Sequence, residues 1–192
     1  FPLNFNYRWF MEETLDRWKK EGLPENVDFL NFFEFDKQVW NAPISREIGS
    51  EFVKWCLLVY TGRTRHSAKL QEKLRMRMKN KQAVEALKKI RSLTWEGREA
   101  LMSGDYEKVG YLLDKGWQLK KQSNPSATNK RIDHFYTKAR KYALGGKILG
   151  AGGEGHMLFI VKPKKRSKLL KAIDLKEIDF GIDWNGLEVR KV

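Results

Sequence analysis

The stretch Gly145-Gly-Lys-Ile-Leu-Gly-Ala-Gly-Gly-Glu-Gly155 sets six glycines in eleven residues between a helix-patterned amphipathic segment and an apolar strand-patterned one. Glycine reaches positive φ without strain and lets another chain or a phosphate approach the main chain closely, so such loops recur at anion sites. Two familiar phosphate signatures are excluded. The chain has no G-x-x-x-x-G-K-[ST] motif, and although Gly150-Ala-Gly-Gly-Glu-Gly155 satisfies G-x-G-x-x-G, the strand pattern His156-Met-Leu-Phe-Ile-Val-Lys162 follows it where a dinucleotide fold needs a helix. A plain helix-to-strand turn needs one glycine rather than six, which favours a functional loop over a purely structural one.

The rest of the chain reads as mixed helix and strand. Trp9, Phe10, Leu15 and Trp18 predict an amphipathic helix over Phe1 to Gly22, stopped by Gly22-Leu-Pro24. Leu30 to Phe35 and Gln38 to Trp40 predict a hairpin around Asp36-Lys37, and Phe52 to Tyr60 predicts a strand covered on both faces. Three helices follow, marked by Ala83, Leu87, Ile90, Thr94 and Leu101, then by Tyr106, Val109, Leu113 and Gly116, then by Ile132, Phe135, Tyr136, Ala139 and Ala143. Asp105 suits an N-cap, and Leu144-Gly145 suits a glycine stop for the third helix. Strands are expected at Lys147 to Leu149, Met157 to Val161, Glu177 to Ile182 and Leu187 to Arg190, with a helix over Lys164 to Ile173 and an Asn-Gly turn in Asp183-Trp-Asn-Gly186. This mixture indicates α+β with an antiparallel sheet covered by helices mainly on one face.

Composition bounds the class without naming a chemistry. The 192 residues suffice for one domain, or one with an appendage, that buries about 70% of its unfolded surface. No apolar run reaches the length of a membrane span and no signal peptide is visible, so a cytoplasmic protein without membrane contact is expected. The single cysteine, Cys56, lies in an apolar strand, where a buried inert thiol is expected rather than a nucleophile. Net charge is +14, concentrated past residue 60: residues 63–91 carry 11 basic and 2 acidic side chains, whereas residues 1–60 carry 7 and 10. Such a surface attracts nucleic acid, but also a sugar phosphate or a nucleotide. No zinc spacing, RNP-like strand or helix-turn-helix signature supports the nucleic-acid reading, and a solvated lysine-rich helix face accounts for most of Lys69 to Arg91.

Taken with its flanks, the glycine segment resembles the third conserved motif of the GHMP small-molecule kinases, the superfamily of galactokinase, homoserine kinase, mevalonate kinase and phosphomevalonate kinase. It is most similar to the branch that phosphorylates D-glycero-D-manno-heptose 7-phosphate. Gly145 to Ile160 reproduces that branch's order of Gly-Gly-Lys, two apolar residues, Gly-Ala, a glycine run and an apolar strand. Cys56-Leu-Leu-Val-Tyr-Thr-Gly-Arg-Thr-Arg-His-Ser-Ala68, Trp117-Gln-Leu-Lys120 and Ile132-Asp133 resemble further segments of the branch. Glu154 and His156 depart from it, standing where the family has a glycine and an apolar or aromatic residue. The N-terminal P-x-x-x-G-L-G-S-S-like loop that holds ATP in these kinases does not occur in this sequence.

The resemblance spans residues 30–192 and implies a ferredoxin-like GHMP kinase C-terminal domain, with residues 1–29 a helical appendage or a remnant of a preceding domain. Residue 1 is Phe rather than Met, as a truncated kinase would have it. The implied site is the acceptor side of the active-site cleft, shaped by Gly145, Gly146, Lys147, Gly150, Ala151, Gly152, Gly153 and Gly155. Catalysis by phosphoryl transfer consists mostly of positioning and charge neutralisation, so a C-terminal domain can supply half of it. Arg63, Arg65 and His66 follow an apolar strand, where they could grip a substrate phosphate or form a flexible cationic loop. Trp117 is expected in the core while Lys120 faces the cleft, and Asp133 and His134 are expected to be ordinary surface groups. A metal site within the chain is not expected. ATP and Mg2+ would come with the complete kinase, held by the missing N-terminal half, and no cofactor by this chain alone. The implied partners are a sugar or sugar phosphate and that missing half, with a homodimer left open. The alternative function is a non-catalytic module of the same fold that binds an anionic ligand or a partner chain.

Overall fold

The computed structural model describes residues 31–35, 39–63, 77, 79–150 and 152–184, with 31–35 and 39–43 given by backbone alone. These residues fall into two compact units that meet in sequence at Pro43 and Ile44. The first holds the expected hairpin: β1 (Asn31–Phe35) pairs antiparallel with β2 (Val39–Pro43), with Phe33 opposite Asn41. The expected turn at Asp36-Lys37, the helix over Phe1 to Gly22, the Asn-Gly turn and the strand from Leu187 to Arg190 lie outside the described residues.

The second unit runs α1 (Arg46–Trp55), β3 (Cys56–Tyr60), α2 (Lys81–Met102), α3 (Tyr106–Ser123), α4 (Lys130–Ala139), β4 (Ala143–Ile148), β5 (His156–Val161), α5 (Arg166–Ile173) and β6 (Glu177–Ile178). Its sheet has the order β4-β5-β3-β6 with every neighbouring pair antiparallel, which is the expected ferredoxin-like α+β arrangement. Leu57 and Val59 of β3 share a face with Met157, Phe159 and Val161 of β5, because alternate residues of a strand point the same way. Against them pack Trp117 of α3, Ile132, Tyr136 and Ala139 of α4, and Leu169 and Ile173 of α5, forming one contiguous core. Cys56 and Ile160 on the opposite face are buried as well, so these central strands are covered on both sides. Among the described residues no helix is long and apolar enough to cross a membrane.

Three expectations are corrected by the structure. Phe52 to Trp55 are helical, not extended. The Ser45 hydroxyl accepts from the Ile48 N–H at 3.3 Å and starts α1, whose Phe52 and Trp55 rings each pack 5.6 Å from the ring of Tyr106. Tertiary packing there outweighs the strand preference of aromatic and branched residues. Gly145 does not stop a helix: α4 ends at Ala139, and Gly145 and Gly146 lie inside β4. The last sheet strand is shorter than expected, two residues at Glu177–Ile178, held where the Arg166 guanidinium pairs with Glu177 and donates to the Cys56 carbonyl at 2.7 Å. Asp105 caps α3 as expected, accepting from the Lys108 N–H at 3.0 Å.

Candidate functional site

The six glycines divide into two kinds. Gly145 and Gly146 permit close packing: a Cβ on Gly145 would stand 1.9 Å from the carbonyl oxygen of Gly110 in α3, and one on Gly146 would stand 2.4 Å from the Phe159 ring. Gly145 lets α3 lie directly on β4, and Gly146 leaves room for the Phe159 ring of β5. Gly150, Gly152, Gly153 and Gly155, in the turn joining β4 to β5, have φ of 65°, 102°, 82° and 111°, a region that side chains disfavour. Gly152 also sits where a Cβ would be 2.6 Å from the Ala127 carbonyl oxygen. Ala151 lies outside the described residues.

Three elements hold this turn. From the segment before α4, the Ala127 carbonyl accepts from the Gly153 N–H at 2.6 Å, and Asn129 Nδ2 donates to the Gly153 carbonyl at 2.5 Å and to Glu154 Oε1 at 3.1 Å. From the end of β3, buried Thr61 gives its N–H to the Gly155 carbonyl at 2.8 Å, and its hydroxyl oxygen accepts from the Gly155 N–H at 3.1 Å. From α3, Lys120 Nζ donates to the Gly150 carbonyl at 2.8 Å. Glu154 lies at the middle of these contacts, accepting from Thr61 Oγ1 at 3.4 Å and standing 3.6 Å from Arg131 Nη1 of α4. The described residues of the turn are therefore tied from three sides.

Its electrostatics are set by lysine. Burial, helped by the nearby Lys147 ammonium, pulls the Lys120 amine down to about 8, and burial also lowers Lys147. Neither has an ion-pair partner among the described residues. Arg140, by contrast, is matched: its Nη2 lies 3.4 Å from Asp114, and Tyr136, whose hydroxyl titration burial and Asp114 push upward, donates to the same carboxylate. Burial pushes the Cys56 thiol up to about 12, so it stays protonated and inert.

Of the sequence-derived candidates, the structure gathers Lys120, Lys147, Gly150, Gly152, Gly153 and Gly155 around one turn. Arg63 is exposed just after Gly62, whereas Arg65 and His66 lie outside the described residues. Trp117 is buried as expected, and His134 is exposed. Asp133 is more than a solvated group, accepting from Thr128 Oγ1 at 3.0 Å and lying 3.5 Å from Lys121 Nζ. His156 is exposed and stacks on Tyr60 at 5.1 Å. Sequence reasoning missed Thr61, Asn129 and Arg131 as supports. Asn129 had a usable signal, since asparagine just ahead of an amphipathic stripe marks an N-cap. Among the described residues no group of three or more His, Cys, Asp or Glu is placed to hold a metal ion.

The fold is shared with small-molecule kinases. The mevalonate kinase of Methanococcus jannaschii superposes with a TM-score of 0.57 at 26% identity, over 72% of this chain and 43% of that one. In sequence the chain is 31% identical over 149 residues to the D-glycero-alpha-D-manno-heptose 7-phosphate kinase of Campylobacter jejuni, covering 75% of this chain and 44% of that protein. It is 29% identical over 155 residues to the bifunctional fucokinase/GDP-fucose pyrophosphorylase of Arabidopsis thaliana, covering 78% of this chain and 15% of that protein. No family model matches. Sequence and fold together make the chain similar to GHMP kinases, with sugar kinases among its sequence relatives. It spans less than half the length of these curated relatives.

Proposed function

We propose that this chain is the C-terminal portion of an ATP-dependent GHMP sugar kinase, and that its β4–β5 turn shapes the phosphate-acceptor side of the active site. The observation that carries the proposal is the turn itself: four positive-φ glycines, fixed by Thr61, Asn129 and Ala127 and tethered by Lys120. Such a turn offers a phosphorylated or hydroxylated substrate a rigid backbone surface beside partly buried amines. Preorganisation of this kind is what phosphoryl transfer requires of a protein, because positioning and charge neutralisation carry most of its catalysis. Lys120 faces the acceptor, and Arg63 with Arg65 contacts a phosphate already on the substrate. ATP and Mg2+ belong to the complete kinase. No described residue of this chain is assigned to the metal.

The similarity to a heptose 7-phosphate kinase and a fucokinase supports a sugar or sugar phosphate as the acceptor. The test is an assay of the natural gene product with ATP and Mg2+ against D-glycero-D-manno-heptose 7-phosphate, L-fucose, D-galactose and mevalonate, reading ADP release and product by 31P NMR. Turnover is expected with one of the sugars. Turnover with mevalonate alone, or with none of the four, overturns the proposal.

A further inference from the structure

The chain carries two partly buried ammonium groups beside the glycine turn and gives neither a carboxylate. Lys120 projects from α3 and Lys147 from β4, three residues before Gly150, and the Lys120 amine reaches the Gly150 carbonyl at 2.8 Å. Lys147 lies two residues along β4 from Gly145 and on the same face, the face on which a Gly145 Cβ would meet α3, so its side chain stands on the side of α3 and its charge is felt at Lys120. Five other half-buried cations differ. Arg131, Arg140, Arg166, Lys121 and Lys162 are buried to a similar degree, and each lies within 4 Å of a Glu or Asp. Holding two like charges together in a partly desolvated place costs free energy unless an anion joins them. A solvated surface lysine would avoid that cost by swinging into water, but the Lys120 amine is retained at the turn by its hydrogen bond.

We propose that Lys120 and Lys147 form a two-pronged seat for a single phosphate monoester, placed against the Gly150 end of the β4–β5 turn. The ammonium groups supply charge-assisted hydrogen bonds to two phosphate oxygens, and the turn backbone beside them admits the anion without a side chain in the way. A Cβ at Gly150 would meet no atom within 4 Å, so the turn is open at that point. The seat rests on the two lysines alone. That the phosphate is part of a kinase substrate rests on the function proposed above.

Titration of the 192-residue chain with inorganic phosphate, followed by calorimetry, tests the seat without any kinase reaction. Saturable binding is expected, weakened about tenfold or more by Lys147→Gln and by Lys120→Gln, since one charge-assisted hydrogen bond is worth that much. Lys141→Gln, at an exposed position remote in role, is expected to bind as the parent does. The Lys147 side chain makes no hydrogen bond to the described residues of the turn, so Lys147→Gln isolates the charge from any loosening caused by Lys120→Gln, and Lys147→Arg is expected to keep the binding that Lys147→Gln loses. Absence of saturable binding, or binding by Lys147→Gln as tight as the parent's, overturns the proposal. Competition then separates the sources. Displacement of phosphate by mannose 6-phosphate assigns the seat to the acceptor, displacement by a non-hydrolysable ATP analogue assigns it to the nucleotide, and displacement by neither overturns the assignment to a substrate phosphate. A chain that binds phosphate yet shows no kinase turnover as the natural product would retain the seat and lose the kinase reading.

Discussion

Asn129 and Gly153 are joined by a 2.5 Å hydrogen bond from the asparagine amide to the glycine carbonyl, while the same side chain's oxygen accepts from the N–H groups of Arg131 and Ile132 at 3.0 Å. One residue thus closes the N-terminus of α4 and fastens the glycine turn to it. The turn's position is coupled to a core helix, since Ile132, Tyr136 and Ala139 of α4 are buried against the sheet. Any ligand that depends on the turn therefore depends on α4.

Replacing Asn129 separates the two roles. Asn129→Ser keeps a capping oxygen but cannot reach as a two-handed amide, and Asn129→Asp keeps the oxygen while placing a second carboxylate beside Glu154. Loss of both roles together, in Asn129→Ala, is expected to cost at least as much as a lost cap, about 0.5–2 kcal/mol. Asn129→Asp is expected to be less stable than Asn129→Ser above pH 6, although aspartate and serine cap helices about equally well. Urea denaturation of the three variants checks the order, and equal stability of the aspartate and serine forms would show that a second carboxylate beside Glu154 costs nothing.

The glycines should respond unequally to alanine. At Gly145 the new methyl would fall 1.9 Å from a backbone oxygen of α3, which only movement of the helix can relieve, whereas at Gly150 it would meet open space and pay only for its left-handed backbone. Gly150→Ala is expected to cost about 1–2 kcal/mol. Gly145→Ala is expected to cost more, about 3 kcal/mol or beyond, in line with overpacking that backbone cannot absorb. Thermal unfolding of both proteins decides the ranking, and parity between them would mean that the α3–β4 contact is looser than described.

Much of this was legible beforehand, and the misses have physical causes. The Gly145 to Gly155 segment announced a backbone-driven function, but spacing alone did not tell close-approach glycines from positive-φ glycines, because that depends on Gly110 and Phe159 lying opposite. Phe52 and Trp55 read as strand from their side chains, and only the Tyr106 ring they pack on makes the helix preferable. Lys120 was found through its place on a helix face and through family likeness. Arg131 went unnoticed because an arginine beside other basic residues carries no pattern until Glu154 is seen 3.6 Å away.

Glu154 and Arg131 are expected to be energetically coupled. Glu154 is 12% exposed and Arg131 36%, and the Arg131 Nη1 atom nearest the carboxylate is buried with no hydrogen-bond partner of its own. Removing the carboxylate would leave that nitrogen without compensation. In a double-mutant cycle with Glu154→Gln and Arg131→Gln, the coupling is expected to be about 0.5–3 kcal/mol, with the double variant less destabilised than the sum of the singles. Additive behaviour would reduce the pair to an incidental neighbourhood.

Cys56 offers a direct probe of burial. Its thiol titrates near 12, raised by desolvation and only partly offset by Arg166, so at pH 8 the thiolate needed for attack on a disulfide reagent is scarce and covered. Folded protein is expected to react with an aromatic disulfide reagent only on the timescale of global or local opening, and urea-unfolded protein within seconds to minutes. Rapid stoichiometric labelling of the native chain would contradict the packing of β3 against β5.

Lys120 should leave a signature in the pH dependence of stability. Burial first and Lys147 second lower its amine from 10.5 to about 8 in the folded chain, while in the unfolded chain both causes vanish. Between these values the unfolded state holds more protons than the folded state, so stability rises with pH across that window. Below about 8 the amine is charged in both states, and the cost of holding it partly buried is present in full. The charged group that faces it is Lys147, whose own amine is lowered by burial, so its contribution has the same sign and must be subtracted. Unfolding free energies of the parent and of Lys120→Met, measured from pH 7 to 10.5, are expected to diverge in favour of the parent as pH rises. Saturating inorganic phosphate should shift the divergence to higher pH, because the bound anion favours the charged amine. A difference that stays flat with pH in both conditions would place the Lys120 amine in water and remove it from the turn.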